Sequence, residues 1–220
     1  MQRYLQSTDF FDFENDAIKQ FSEGLINESM TTTQKAIALY NGVRDGIRYN
    51  PYVFDVKART LSASHCLKEG QSYCIPKAVL LGAVCRLSGI PSRLGLADVK
   101  NHLSSPALIE WLKSDIFAMH GYIELYLDGK WVKATPAFDV KLCERMGVKA
   151  LDFNGKDDSV FHEFNGEGVR HMEYINDYGA FDDVPFDFIV KSVAAAYPHL
   201  VDYVPKKNVG SLEDDLINAD

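Results

Sequence analysis

The 220-residue sequence has no long apolar run, and nothing in it approaches the roughly 20 residues needed to span a bilayer. Its opening stretch, MQRYLQSTDFFDFEND, holds no apolar segment of the secretory kind. Positive charge is also short: 23 Lys and Arg stand against 31 Asp and Glu, a net charge of −8. That balance argues against nucleic acid or an anionic membrane as the main partner, and a cytoplasmic location is expected. Cysteine is scarce. Cys66, Cys74, Cys85 and Cys143 are the four, expected to be reduced thiols in that compartment. No C-x-x-C or H-x-x-x-H spacing occurs, and His65 beside Cys66 fits no zinc pattern, so no metal is expected. No glycine loop is built to cradle phosphate, so no cofactor is expected. Internal repeats and low-complexity segments are missing too.

What is present centres on Gly70–Gly95, GQSYCIPKAVLLGAVCRLSGIPSRLG. Ala78, Leu81 and Cys85 recur at helical spacing, and Val79, Leu80 and Val84 widen the apolar face, which predicts a largely buried helix. Pro76 suits its first turn, while Gly89 and Pro91 end it. Cys74 then lies at or just before the first helical residue. Unpaired N–H groups and the helix dipole favour a thiolate there, the form that attacks carbonyl carbon. Cys85 reads as a small core residue.

A cysteine nucleophile needs a base. Residues 119–127, MHGYIELYL, alternate as a strand does, and Asp128-Gly129 signals a two-residue hairpin returning through Lys130–Ala134. His120 sits at the far end of that arm. Asp139 follows the second arm and is a candidate to orient the imidazole. Cys, His and acid in this arrangement define thiol acyl-transfer chemistry. Continuing the hairpin register places Thr135 nearer to His120, so Thr135 competes with Asp139 for that role.

Around this centre the sequence predicts helices over 10–24 and from Thr31–Thr33 to about residue 47. An irregular segment over 53–66 carries one turn of helix near 60–65. A strand is expected over 92–99, and a short helix over 106–112. Further on come a helix over 139–147, a strand and turn over 148–155, loops and short strands over 161–185, and a strand or helix over 186–196. His162 and His171 read as surface or packing residues. With 46% hydrophobic residues the chain supports one domain, 1–220. Its core is about 31–139, an extension of about 140–205 packs on it, and the tail 206–220 frays.

G-x-x-x-C before a buried helix, R-L-S-G-I-P-S-R-L-G after it, and H-G-Y-I-E-L-Y-L-D-G-K-W-V resemble the core of the transglutaminase-like superfamily, in its bacterial, cysteine protease-like branch. The resemblance implies an α+β papain-like fold, with the nucleophile helix packed on an antiparallel sheet and a Cys74-His120-Asp139 triad. This chain has Ser72 where many members have glycine. It also has Thr135 where W-x-x-x-D-P-T would place the acid. The expected activity is cysteine-dependent acyl transfer through a thioester at a peptide, protein or small amide substrate, by hydrolysis or transamidation. The Cys74 N–H donates to the oxyanion, and Gln71 or Tyr73 is the candidate second donor. The alternative is a non-catalytic binding or scaffold module, against which the chain keeps both Cys74 and His120.

Overall fold

The structure, a computed structural model, describes residues 1–55, 57–102, 104–160, 172–205 and 210–217. The expected first helix begins late. Thr8 Oγ1 accepts from the N–H groups of Phe10 and Phe11, which holds that stretch in a turn with Phe11 fully buried. Helix α1 (Asp16–Glu23) then starts behind Asn15, whose side chain caps Ala17 N–H. Helix α2 (Thr32–Gly46) opens on a capping box. Thr31 and Gln34 each accept from the other's backbone N–H, at 3.2 and 2.8 Å.

The irregular segment is more helical than the sequence suggests. After β1 (Arg48–Tyr49), a 3₁₀ turn over Ala58–Leu61 leads into α3 (Ala63–Glu69), capped by Ser62 Oγ. Strand β2 (Gln71–Ser72) pairs with β1 in parallel, and α4 (Cys74–Leu87) follows. Ile75 through Arg86 are all buried, so this helix is covered on every side.

The sheet is antiparallel, in the order β5-β4-β3-β6. Its strands are β3 (Ser92–Asn101), β4 (Ile116–Leu127), β5 (Lys130–Ala134) and β6 (Met172–Phe181), with α5 (Pro106–Leu112) between β3 and β4 and α6 (Val140–Arg145) after β5. The hairpin between β4 and β5 turns at Asp128 and Gly129, both at positive φ (49° and 85°), which a two-residue primed turn requires. Helix α4 lies across β4 and β3, and Leu80, Leu81, Val84, Ile123 and Leu125 meet in the core between them. This is the α+β architecture the sequence predicts.

Toward the C-terminus the sequence is less informative. No strand forms over the described residues 148–155. Instead Ser159 exchanges backbone hydrogen bonds with Lys133 and Thr135 beside the end of β5. The loop-rich stretch contains the ten-residue strand β6, while His162 and His171 lie outside the described residues. Residues 186–196 form α7 (Phe186–Ala196), and α8 (Leu212–Ile217) forms within the tail expected to fray. Asp215 holds α8 down by accepting from the hydroxyls of Tyr52 and Ser105. Among the described residues, no helix is long and apolar enough to cross a membrane.

Candidate active site

Cys74 is the first residue of α4, behind an extended Tyr73. The N–H groups of Cys74 and Ile75, unpaired within the helix, approach Sγ together with the N–H of Gly121 on β4. Such close approach of strand to helix tip requires glycine: a Cβ on Gly121 would stand 2.7 Å from Ile75 Cα. His120, the neighbour of Gly121, lines the same pocket as Cys74. Strand and helix thus bring the predicted nucleophile and base to one chamber.

A β-bulge aims His120. Ala97 pairs with His120 and Val99 with Phe117, so Ala118 and Met119 on β4 oppose Asp98 alone on β3. Met119 adopts φ +59°, rare for a residue with a Cβ. Three bonds hold the bulge. Met119 N–H donates to Asp98 Oδ1 at 3.0 Å, Tyr178 Oη to Asp98 Oδ2 at 2.7 Å, and Ala118 N–H to Tyr197 Oη at 2.7 Å. Sequence reasoning missed Asp98 and Tyr197, since neither sits in a motif.

The pocket walls are almost entirely apolar, with Trp111, Phe117, Val193, Tyr197 and Leu200 facing Tyr49 and Phe54. Cys74 is partly exposed to this chamber but surrounded by hydrocarbon. Burial therefore pushes its thiol up to about 11, and the N–H groups of Gly121, Ile75 and Cys74 only partly offset it. Burial alone pushes His120 down to about 4. The resting pair is a neutral thiol and a neutral imidazole. The thiolate expected from the helix tip is not favoured here, because desolvation outweighs the dipole.

Of the remaining predicted residues, Asp139, Gln71 and Tyr73 are engaged elsewhere. Asp139 caps α6, with Oδ1 accepting from Leu142 N–H at 3.0 Å and Oδ2 from Tyr49 N–H at 3.1 Å; neither bond reaches His120. His120 Nε2 and Thr135 Oγ1 are both buried without a hydrogen-bond partner. Gln71 Oε1 accepts from Arg48 and Asn50, and its side chain lines an adjoining polar cleft rather than the Cys74 chamber. Tyr73 forms a wall between the two, its hydroxyl donating to Asp55 C=O at 3.4 Å. Lys77, one turn beyond Cys74, is fully buried, and Nζ donates to the carbonyls of Arg44 (2.9 Å) and Ile47. Those carbonyls close the end of α2 and pin the nucleophile helix to it. Cys66, Cys85 and Cys143 are buried, free thiols. Among the described residues, no three His, Cys, Asp or Glu gather as metal ligands do.

A cysteine at the tip of a buried helix, set against an antiparallel sheet that carries a histidine, is the core of a papain-like thiol fold. The chain belongs to the transglutaminase-like superfamily, whose model matches residues 19–136. Among solved structures it is similar to a putative cysteine protease from Cytophaga hutchinsonii (18% identity, TM-score 0.46, 60% of this chain and 40% of that one). It is also similar to a putative protease from Parabacteroides distasonis (16% identity, TM-score 0.39, 60% and 24%). The chain therefore spans less than half the length of either. A comparison with curated proteins gives no match.

Proposed function

We propose that the protein is a thiol acyl-transfer enzyme that cleaves an amide or related acyl bond through a Cys74 thioester, with water as the usual acceptor. One observation carries this reading. The N–H groups of Cys74, Ile75 and Gly121 lie close enough to Sγ to favour its thiolate, in a chamber that His120 also lines. Because both groups start neutral, proton transfer accompanies attack. Sγ bonds to the carbonyl carbon as its proton passes to His120, and the oxygen takes the electron pair between the N–H groups of Cys74 and Gly121. Collapse expels the amine, which takes the proton from His120. Water then repeats the sequence on the thioester and releases the acid.

Gly121 N–H is the second oxyanion donor in this reading, in place of Gln71 or Tyr73. Asp139 acts as a positioning residue, fixing the backbone of Tyr49 at the pocket wall. The acceptor assigned to His120 Nε2 is Thr135 Oγ1 through one water, since both atoms are buried and make no direct bond. Thr135 directly follows Ala134, the last residue of β5, which pairs with Ile123 on the strand that carries His120.

The test is mass spectrometry of the protein after brief exposure to activated esters and amides. An acyl adduct on Cys74, lost in Cys74→Ala and persisting longer in His120→Gln, is expected. A Cys74 that never carries an acyl group would favour the binding-module reading, to which the neutral thiol and imidazole lend their one support.

A further inference from the structure

Part of the wall of the Cys74 chamber comes from the segment that follows β6. Val193 of α7, Tyr197 just after it, and Leu200 all line the pocket together with Cys74. Tyr197 is nearly fully buried and pinned twice: Oη donates to Ile116 C=O at 2.6 Å and accepts from Ala118 N–H at 2.7 Å. Two more bonds tie the segment down, His199 Nε2 with Trp111 C=O at 2.8 Å and Tyr203 Oη to Tyr52 C=O at 3.1 Å. This wall is built, not draped.

The space it leaves is small, a cavity of about 60 Å³. An apolar cavity that binds benzene measures about 150 Å³. The space beside Cys74 is thus less than half of what a phenyl ring occupies there. No Asp, Glu, Lys or Arg lines it. A charged acyl group would lose its water and find no counter-ion there.

We propose that Tyr197 sets the upper size limit on the acyl group delivered to Cys74, so that the site accepts short, uncharged, apolar acyl groups and rejects long, aromatic or charged ones. This rests on Cys74 being the nucleophile, but the size limit is a property of the chamber and can be read without catalysis.

The first measurement is disulfide formation at pH 9 with methyl and benzyl methanethiolsulfonate, followed at Cys74 by peptide mass mapping. The thiolate attacks the sulfenyl sulfur and methanesulfinate leaves. Because both reagents meet the same thiol, the ratio of their rates cancels its ionisation and reports size alone. The methyl reagent should react at least tenfold faster in the native protein, and Tyr197→Ala should bring the two within about twofold. Tyr197→Leu, which keeps apolar bulk and guards against a failure to fold, should fall between. The second measurement is kcat/KM for p-nitrophenyl acetate, hexanoate and hemisuccinate. Acetate should lead by at least tenfold, and Tyr197→Ala should raise hexanoate selectively. Equal labelling by both thiolsulfonates in the native protein, or an unchanged ratio in both Tyr197 variants, overturns the size limit whatever the esters do. Size-limited labelling with no ester turnover leaves the limit standing and removes the nucleophile reading instead.

Discussion

Asp98 Oδ1 accepts a 3.0 Å hydrogen bond from the N–H of Met119, the residue immediately before His120. Asp98 is the single β3 residue facing two on β4, and the bond holds Met119 at φ +59°. The orientation of the proposed base therefore depends on a carboxylate in the neighbouring strand, outside the chamber. Asp98→Ala should lower kcat at least tenfold with little change in KM, and cost about 1–3 kcal/mol of stability. Asp98→Asn, which keeps one acceptor, should recover part of both. Ester kinetics with urea unfolding of the two variants checks this; wild-type kcat in Asp98→Ala would refute it.

Gly121 and Gly129 should respond differently to alanine. At Gly121 the new Cβ meets the backbone of Ile75, which no side-chain movement relieves. Activity should be lost and stability should fall by about 1–3 kcal/mol. Gly129 has open space around it but φ +85°. Gly129→Ala should cost about 1 kcal/mol and leave activity near wild type. Equal activities in the two variants would argue against close packing of β4 on the α4 tip.

Alkylation of Cys74 should report its raised pKa directly. The rate with iodoacetamide should climb about tenfold per pH unit from 6 to 10, heading for an inflection near 11, with no plateau at neutral pH. His120→Gln should leave the curve unchanged, since no charge on His120 acts on the resting thiol. A plateau below pH 7 that disappears in His120→Gln would instead reveal a preformed thiolate–imidazolium pair.

The same burial makes His120 a source of acid sensitivity. Its folded pKa of about 4 lies below the unfolded value of about 6.5. Between those values the unfolded chain binds a proton that the folded chain refuses, so stability falls as pH drops through that window. The full effect is roughly 3 kcal/mol. Urea unfolding at pH 7 and pH 4.5 should show a smaller loss for His120→Gln than for the native protein. Equal losses would mean His120 is protonated in the fold.

Thr135→Val and Asp139→Ala separate orientation from support. Thr135 Oγ1 is buried and unpartnered, so a methyl in its place should leave stability unchanged or slightly raised, while kcat falls if Thr135 orients His120. Asp139→Ala removes a helix cap and the partner of Tyr49 N–H, and should cost about 1–2 kcal/mol. A larger kcat loss for Asp139→Ala at full stability would restore the acid as the orienting group.

Local chemistry made the centre of the fold legible. Pro76 and the apolar run behind it put Cys74 at a helix start, and Asp128-Gly129 fixed the hairpin that carries His120. The bulge was silent, because Ala118 and Met119 carry no turn signal and their strain is held by Asp98 and Tyr197 from distant parts of the chain. The sequence offers Asp139 as an orienting acid only because it follows the second hairpin arm, four residues past the place where the motif puts its acid. Its position directly before Val140–Arg145 equally suits a helix cap, and capping is the role its hydrogen bonds record. The apolar residues of α7 fit helix or strand alike, and nothing in their spacing tells that Val193 and its neighbours would line the pocket together with Cys74.

The origin of the pocket wall also imposes an order in time. Helix α4 and the β4–β5 hairpin leave the ribosome about sixty residues or more before Val193, Tyr197 and Leu200 do. A nascent chain that has folded only its core therefore presents Cys74 to the surrounding medium, open to oxidants and to acyl donors of any size. The chamber around the thiol is complete only once Val193, Tyr197 and Leu200 have docked.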